Sequence, residues 1–348
     1  MQILLGIGTD ASSPFFDTRE VRRGVVPGTG LRMFPRAVQE ARFAWMSGLI
    51  VTSGLTHRFG DVLALADVSL DVPSGRIGLV GANGAGKTTL IRILLGMLTP
   101  TRGSAQVMGL DVRHDTLALR SRVGYMPEDA CLPAAQTAAD FVAFAAELAG
   151  IPAADSRRRA SEILFLVGLH EERFRYLGDF STGMLQRVKL AQAIVHDPEV
   201  TFLDEPAAGL DPEGREHMLE LIIRLGEFGI SVVYSSHILD DVERTCDWVV
   251  MLDGGRLVRS GPIAAMGSED AVTVEVLDDP QAFVRWLHER GAKADVAGRS
   301  VRVRFDGDPF NLVRDGLAAT DTGVRRMGRR ARTLEDAFIE DARPREAT

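Results

Sequence analysis

The sequence predicts an α/β chain: a parallel sheet with helices between its strands, a helical insertion, and a small C-terminal α+β domain. Three observations predict it. From Arg76 onward three short apolar runs, at 77–80, 200–203 and 230–234, each give way abruptly to glycine or polar residues, the mark of parallel strands buried on both faces. Between Ala134 and His196 strand signals vanish and helical spacing takes over, as at 138–148 and 161–167. After Gly261-Pro262 the text changes again to short alternating strands and helices, which fits a separate layered domain.

A length of 348 residues suits two folded units of ordinary size, and an apolar fraction of 45% supplies their cores. The balance of 40 Lys plus Arg against 48 Asp plus Glu gives a net charge of −8, which argues against a surface that tracks nucleic acid. Cys131 and Cys246 lie far apart, excluding a disulfide scaffold and a local zinc knuckle and pointing to a reducing cytosol. No run approaches the roughly 18 apolar residues of a membrane helix. The opening residues have no basic region before a short apolar stretch, so they make a poor secretory signal.

In chain order, residues 1–45 mix Gly, Pro and Arg without a period and are expected to be a poorly ordered extension. Met46, just before the strand-like Leu49-Ile50-Val51, is the expected true start. A main domain then spans 46–268, with the helical insertion at about 129–196. An accessory α+β domain spans 269–348: a strand at 272–277, a helix at 281–290, a strand at 300–305, a helix from Pro309 and a last helix from Thr333. The cluster Arg325, Arg326, Arg329, Arg330 and Arg332 reads either as a solvated face or as a contact for lipid phosphates or a partner.

In a parallel sheet the carboxyl ends of the three runs share one edge, where open α/β sheets bind ligands. The first run enters Gly81-Ala82-Asn83-Gly84-Ala85-Gly86-Lys87-Thr88, which matches G-x-x-x-x-G-K-[ST] between a strand and a helical stretch at 89–98. Its glycines let backbone N–H groups turn around phosphate oxygens, and the helix adds its positive end. Lys87 is one of only three lysines in a chain that otherwise writes arginine. It is placed to bridge β- and γ-phosphates, with Thr88 on Mg²⁺. After the second run, Asp204 is assigned to the metal and Glu205 to the attacking water, a plain N-cap being the alternative for such a pair. His237, after the third run, is placed to donate a hydrogen bond to the γ-phosphate. Ser181 reads as the N-cap of an amphipathic helix at 185–195 whose positive end suits a second nucleotide.

The succession of this glycine loop, Gly124-Tyr125-Met126-Pro127-Glu128, residues 180–186, Phe202 to Pro206, Gly209-Leu210-Asp211-Pro212 and Ser235-Ser236-His237 resembles the ATP-binding subunit of an ABC transporter over about 49–262. The resemblance implies a P-loop NTPase (RecA-like) ABC nucleotide-binding domain with a helical subdomain. It implies ATP and Mg²⁺ held by Gly81, Asn83, Gly84, Ala85, Gly86, Lys87, Thr88 and Thr89, with Asp204 and Glu128 toward the metal. Phe59 would stack on adenine, Ser181 and Gly183 would belong to the signature motif, Asp211 to the D-loop, and His237 would be the switch histidine. Glu128 stands where glutamine is usual, Thr182 and Met184 depart from the common signature, and Ala207-Ala208 replace Thr-Asn. These variants, and Leu334 to Phe338 near the end, are similar to ABC-2-type exporter ATPases. The implied assembly is a head-to-tail homodimer, or a pair with a related ATPase, on separate integral membrane permease subunits. Its place would be the cytoplasm, peripheral on the inner face of the cell membrane. The alternative is a soluble ABC ATPase acting on ribosomes or DNA. Its translation-type members resemble two fused nucleotide domains, and its DNA-repair types carry long coiled coils or zinc cysteines, features that do not appear here.

Overall fold

A computed structural model describes residues 48–129, 132–266, 271–305 and 307–329. The expected extension at 1–45, Met46, Cys131, Arg330, Arg332, the helix from Thr333 and the motif at Leu334 to Phe338 lie outside the described residues. Contacts divide the chain after Ser260 into two compact units.

In the first unit β1 (Ile50–Phe59) and β2 (Val62–Val72) form an antiparallel hairpin, and β3 (Arg76–Val80) leads through the glycine loop into α1 (Lys87–Leu94). Next come β4 (Arg102–Val107), β5 (Leu110–Asp111), α2 (Thr116–Arg120) and β6 (Val123–Met126). The helical stretch holds α3 (Ala138–Leu148), α4 (Ala153–Leu166) and α5 (Thr182–Ile194). The chain then alternates through β7 (Val200–Leu203), α6 (Pro212–Glu227), β8 (Ser231–Ser236), α7 (Leu239–Thr245), β9 (Trp248–Asp253) and β10 (Arg256–Pro262). Two sheets result, ordered β2-β1-β4-β5 and β10-β9-β3-β8-β7-β6. The pairs from β9 to β6 are all parallel, so β3, β7 and β8 do end on one edge, with Val80 opposite Ser236 and Leu203 opposite Tyr234. One apolar cluster joins Leu55 and Val68 of the antiparallel sheet, Leu90 and Ile91 of α1, and Phe202, Val233 and Val250 of the parallel sheet. The glycine loop is thereby anchored on both sides.

Several helix limits differ from the periodicity: α4 starts at Ala153 rather than 161, and the helix expected over 281–290 ends at His288. α1 ends at Leu94, short of 98, because the chain turns at Gly96 with φ 64°. α5 starts at Thr182 rather than 185 because the Ser181 hydroxyl accepts the Met184 N–H at 3.3 Å and opens the helix there. Just past the end of α5, Asp197 sits at φ 61°. Burial pushes its carboxyl up to about 6, against the pull of Arg159 at 3.9 Å. Its folded-state value lies above the unfolded one, so the native state loses stability as pH rises from about 4 through 6. Asp197→Asn, which tolerates the same backbone, should therefore stabilise the protein by about 1–2 kcal/mol above pH 7, allowing for solvent screening, and by little at pH 4. Thermal melts at the two pH values check this.

The second unit continues with α8 (Ile263–Met266), β11 (Ala271–Val276), α9 (Gln281–His288), β12 (Lys293–Ala297), β13 (Ser300–Arg304), α10 (Pro309–Ala319) and β14 (Val324–Arg329). Its sheet, ordered β12-β13-β11-β14, is antiparallel throughout, a β-α-β-β-α-β arrangement. Val272, Val274, Val276, Val301 and Val303 pack on Phe283, Leu287 and Val313. Arg325 and Arg326 lie exposed on the edge strand β14, Arg325 pairing with Glu275 at 3.1 Å.

Candidate active site

The glycine loop takes its shape from close approaches that admit no side chain. A Cβ on Gly81 would stand 2.3 Å from the Leu252 carbonyl oxygen, and one on Gly86, at φ 101°, 2.7 Å from that of Ala64. Asn83 and Gly84 are exposed at the crown, Ala85 is buried beneath it, and Thr88 and Thr89 are half-buried in the first turn of α1. No side chain caps that turn and no acidic residue lies in it, so its N–H groups and positive end suit an anion. Lys87 is 6% exposed. Its Nζ donates to the Gly81 and Ala82 carbonyls at 2.7 and 3.3 Å.

The loops after β3, β7 and β8 bring Lys87, Glu205 and His237 together. Glu205 Oε1 lies 3.2 Å from Lys87 Nζ, an ion-pair contact without hydrogen-bond alignment, and Oε2 lies 3.0 Å from His237 Nδ1. Glu205 itself adopts φ 47°, a left-handed backbone that costs a non-glycine residue about 1 kcal/mol. Asp204 is fully buried: Oδ1 accepts a 2.7 Å bond from the Ser235 hydroxyl, while Oδ2 is buried without a partner. An orphaned buried carboxylate oxygen fits a divalent cation. Among the described residues no three His, Cys, Asp or Glu side chains gather to hold a metal alone, and Mg²⁺ commonly combines one or two carboxylates with phosphate oxygens. Glu128 shares this field: burial first, then the Asp204 and Glu205 charges, hold its carboxyl above the ordinary carboxylate range.

Phe59 is 48% exposed at the end of β1, edge-on to His57 at 4.5 Å. Gly86 abuts Ala64 and Leu65, and Leu65 pairs with His57. The aromatic therefore stands on the same hairpin that braces the glycine loop.

Ser181 does not join the Lys87 cluster. Its helix α5 packs on β6, which is separated from β3 by β8 and β7, a lateral distance of about 14 Å. Lys189, a buried residue of α5 that sequence reasoning passed over, donates to the Pro127 and Glu128 carbonyls at 3.0 and 2.6 Å. His196, just beyond the helix, bonds the Val123 carbonyl at 3.0 Å. These ties run α5 antiparallel to β6, so Ser181, eight residues before Lys189, lies about 12 Å beyond the level of Glu128. Ser181 and Thr182 are exposed there. A Cβ on Gly183 would stand 3.8 Å from Leu210 and one on Gly209 3.9 Å from Thr182, and Gln186 donates to the Ala208 carbonyl at 3.4 Å, so this helix start lies beside the loop before Asp211. Asp211 is exposed and spends Oδ1 on capping α6 through the Gly214 N–H at 3.1 Å. A nucleotide contact would fall to its other oxygen.

Residues 65–208 match the family model described as ABC transporter. A Synechocystis protein described as an uncharacterised ABC transporter ATP-binding protein is 37% identical over 292 residues, covering 82% of this chain and 80% of that one. The methionine import ATP-binding protein MetN of Caulobacter vibrioides is 39% identical over 276 residues, covering 77% and 82%. Among solved structures, CbiO1 of Clostridium perfringens, part of the ABC transporter complex CbiONQ, superposes with a TM-score of 0.57 at 26% identity, covering 63% of this chain and 90% of its own.

Proposed function

This chain belongs to the family of ABC transporter ATP-binding proteins, and on that premise we propose that it is the ATP-hydrolysing subunit of a transporter of the ABC-2 export type. It would drive substrate through a separate membrane permease by closing and reopening a dimer. The observation that carries the reading is the split site: Lys87, Glu205 and His237 meet in one chain, while Ser181 is held exposed beyond the sheet edge.

In this reading ATP lies along the glycine loop with adenine on Phe59. Lys87 leaves the Gly81 and Ala82 carbonyls for the β- and γ-phosphates. Asp204, Glu128 and Thr88 would hold Mg²⁺, which when bound neutralises charge on the phosphate oxygens. Glu205 orients a water and accepts its proton as the water oxygen attacks the γ-phosphorus and the bond to the β-phosphate oxygen breaks. His237, which stands beside the other Glu205 oxygen in the free chain, turns its N–H toward the γ-phosphate once ATP is bound. A second copy supplies Ser181, Gly183 and the positive end of its α5 to the same triphosphate, with Asp211 at the boundary. Because closure is favoured only with ATP between the copies, binding closes the dimer and hydrolysis releases it.

The partner reading rests on the helical part. Phe144 and Leu148 stand exposed one turn apart on α3, and Phe174 and Tyr176 are exposed in and just after the short 3₁₀ turn Glu172–Phe174 that packs on it, apolar surface of the kind an interface covers. Among the described residues no helix is long and apolar enough to cross a membrane. The export reading rests on Thr182, Met184 and Ala207-Ala208 and on the second unit.

The test is recovery of the tagged full chain from detergent-solubilised membranes of its host. A multispanning partner should co-purify, and Leu148→Asp with Phe174→Asp should lose it while keeping ATP binding. Recovery from the soluble fraction alone, with no membrane partner, contradicts the reading and favours the soluble ATPase. Uptake of substrate by inside-out vesicles holding both proteins tests export.

A further inference from the structure

Ser235 has no part in the chemistry outlined above, yet it touches both acidic residues. It is fully buried on β8, two residues before His237, and pairs with Leu79 of β3 in the middle of the sheet. The β7 to β8 ladder ends at Leu203 opposite Tyr234. One residue further on, a side chain takes the place of the ladder: the Glu205 N–H donates to Ser235 Oγ at 2.8 Å, and Ser235 donates its proton to Asp204 Oδ1 at 2.7 Å. A hydroxyl has one proton, so these two bonds set a direction. Oδ1 of Asp204 is occupied, Oδ2 is left as the oxygen without a partner, and the Glu205 N–H is satisfied in a backbone at φ 47° that sheet pairing would not support.

We propose that Ser235 is a positioning residue of the hydrolytic site: its hydroxyl orients the Asp204 carboxylate with Oδ2 free for a divalent cation and holds Glu205 in the left-handed backbone that carries its carboxylate to Lys87 and His237. The proposal deepens the ATPase reading and rests on it. Ser235 touches neither nucleotide nor water in this scheme and acts through its two acidic neighbours.

The test uses the full chain and three variants. Ser235→Ala removes the hydroxyl, while Ser235→Thr and Ser235→Val have matching shapes and differ only in it. One readout is Mn²⁺ affinity by electron paramagnetic resonance with a non-hydrolysable ATP analogue, and the other is the kcat and KM split for ATP. Ser235→Ala should weaken Mn²⁺ binding about tenfold and lower kcat about tenfold to a hundredfold, with KM for ATP little changed. Ser235→Thr should keep both properties, and Ser235→Val should lose both. Parental Mn²⁺ affinity and turnover in Ser235→Ala, or equal losses in folded Thr and Val variants, would overturn the proposal. A parent that binds Mn²⁺ with nucleotide but never hydrolyses ATP would refute the ATPase reading instead, and the Mn²⁺ comparison would still decide the role of Ser235.

Discussion

Glu205→Gln stops steady hydrolysis, with kcat falling by about a hundredfold to a thousandfold, while ATP still binds. The substitution keeps the volume of a buried side chain and removes the charge that accepts a proton from water. Glu205 touches both Lys87 and His237, at 3.2 and 3.0 Å. Removing its charge also frees Lys87 from an ion pair that competes with phosphate, so ATP affinity is expected to hold or rise. Phosphate release at saturating ATP, together with equilibrium binding of a fluorescent ATP analogue, checks both halves. Continued turnover within tenfold of the parent would remove Glu205 from the role of base.

Lys87→Ala acts at the other step. It weakens ATP binding by about a hundredfold, the effect of deleting one charge-assisted contact in a buried site. The loss goes beyond the missing attraction to phosphate, because Lys87 also satisfies the Gly81 and Ala82 carbonyls and faces Glu205. Its removal leaves a buried carboxylate without its cation. Lys87→Arg is expected to fail as well, since a planar guanidinium cannot replace a compact ammonium in a loop closed by Gly81 and Gly86. Equilibrium binding of the same analogue separates this variant from Glu205→Gln: one loses affinity, the other only turnover.

What the sequence reveals follows how strongly each element depends on its neighbours. β3, β7 and β8 are readable because strands covered on both faces must be continuous apolar runs. The polar residues after them converge because parallel strands end on one edge. The antiparallel sheet is harder to read: register shifts interrupt β1 at Thr52, Leu55 and His57, and β2 alternates Asp and Ser with its apolar residues. β12 and β14 escape because they are edge strands, where Lys293, Asp295 and the arginines of β14 replace apolar residues. Lys189 and Ser235 act through backbone carbonyls and carboxylates distant in sequence, contacts with no local period. For Lys189 a signal existed. In a chain with 40 basic residues but only three lysines, its ammonium, like that of Lys87, is buried against the carbonyls of a loop after a strand. Ser181 was legible as a cap, but its exposure beyond the sheet required the tie from α5 to Glu128.

The central claim, that two copies share one nucleotide through Ser181, is tested most directly by the mass in solution of full-length Glu205→Gln, measured by light scattering. With saturating ATP and Mg²⁺ it should move from the 37.8 kDa of a single chain to twice that value. Adding Ser181→Arg should return it to the single-chain mass with ATP still bound. A single-chain mass at saturating ATP, or a dimer indifferent to Ser181→Arg, would contradict the account.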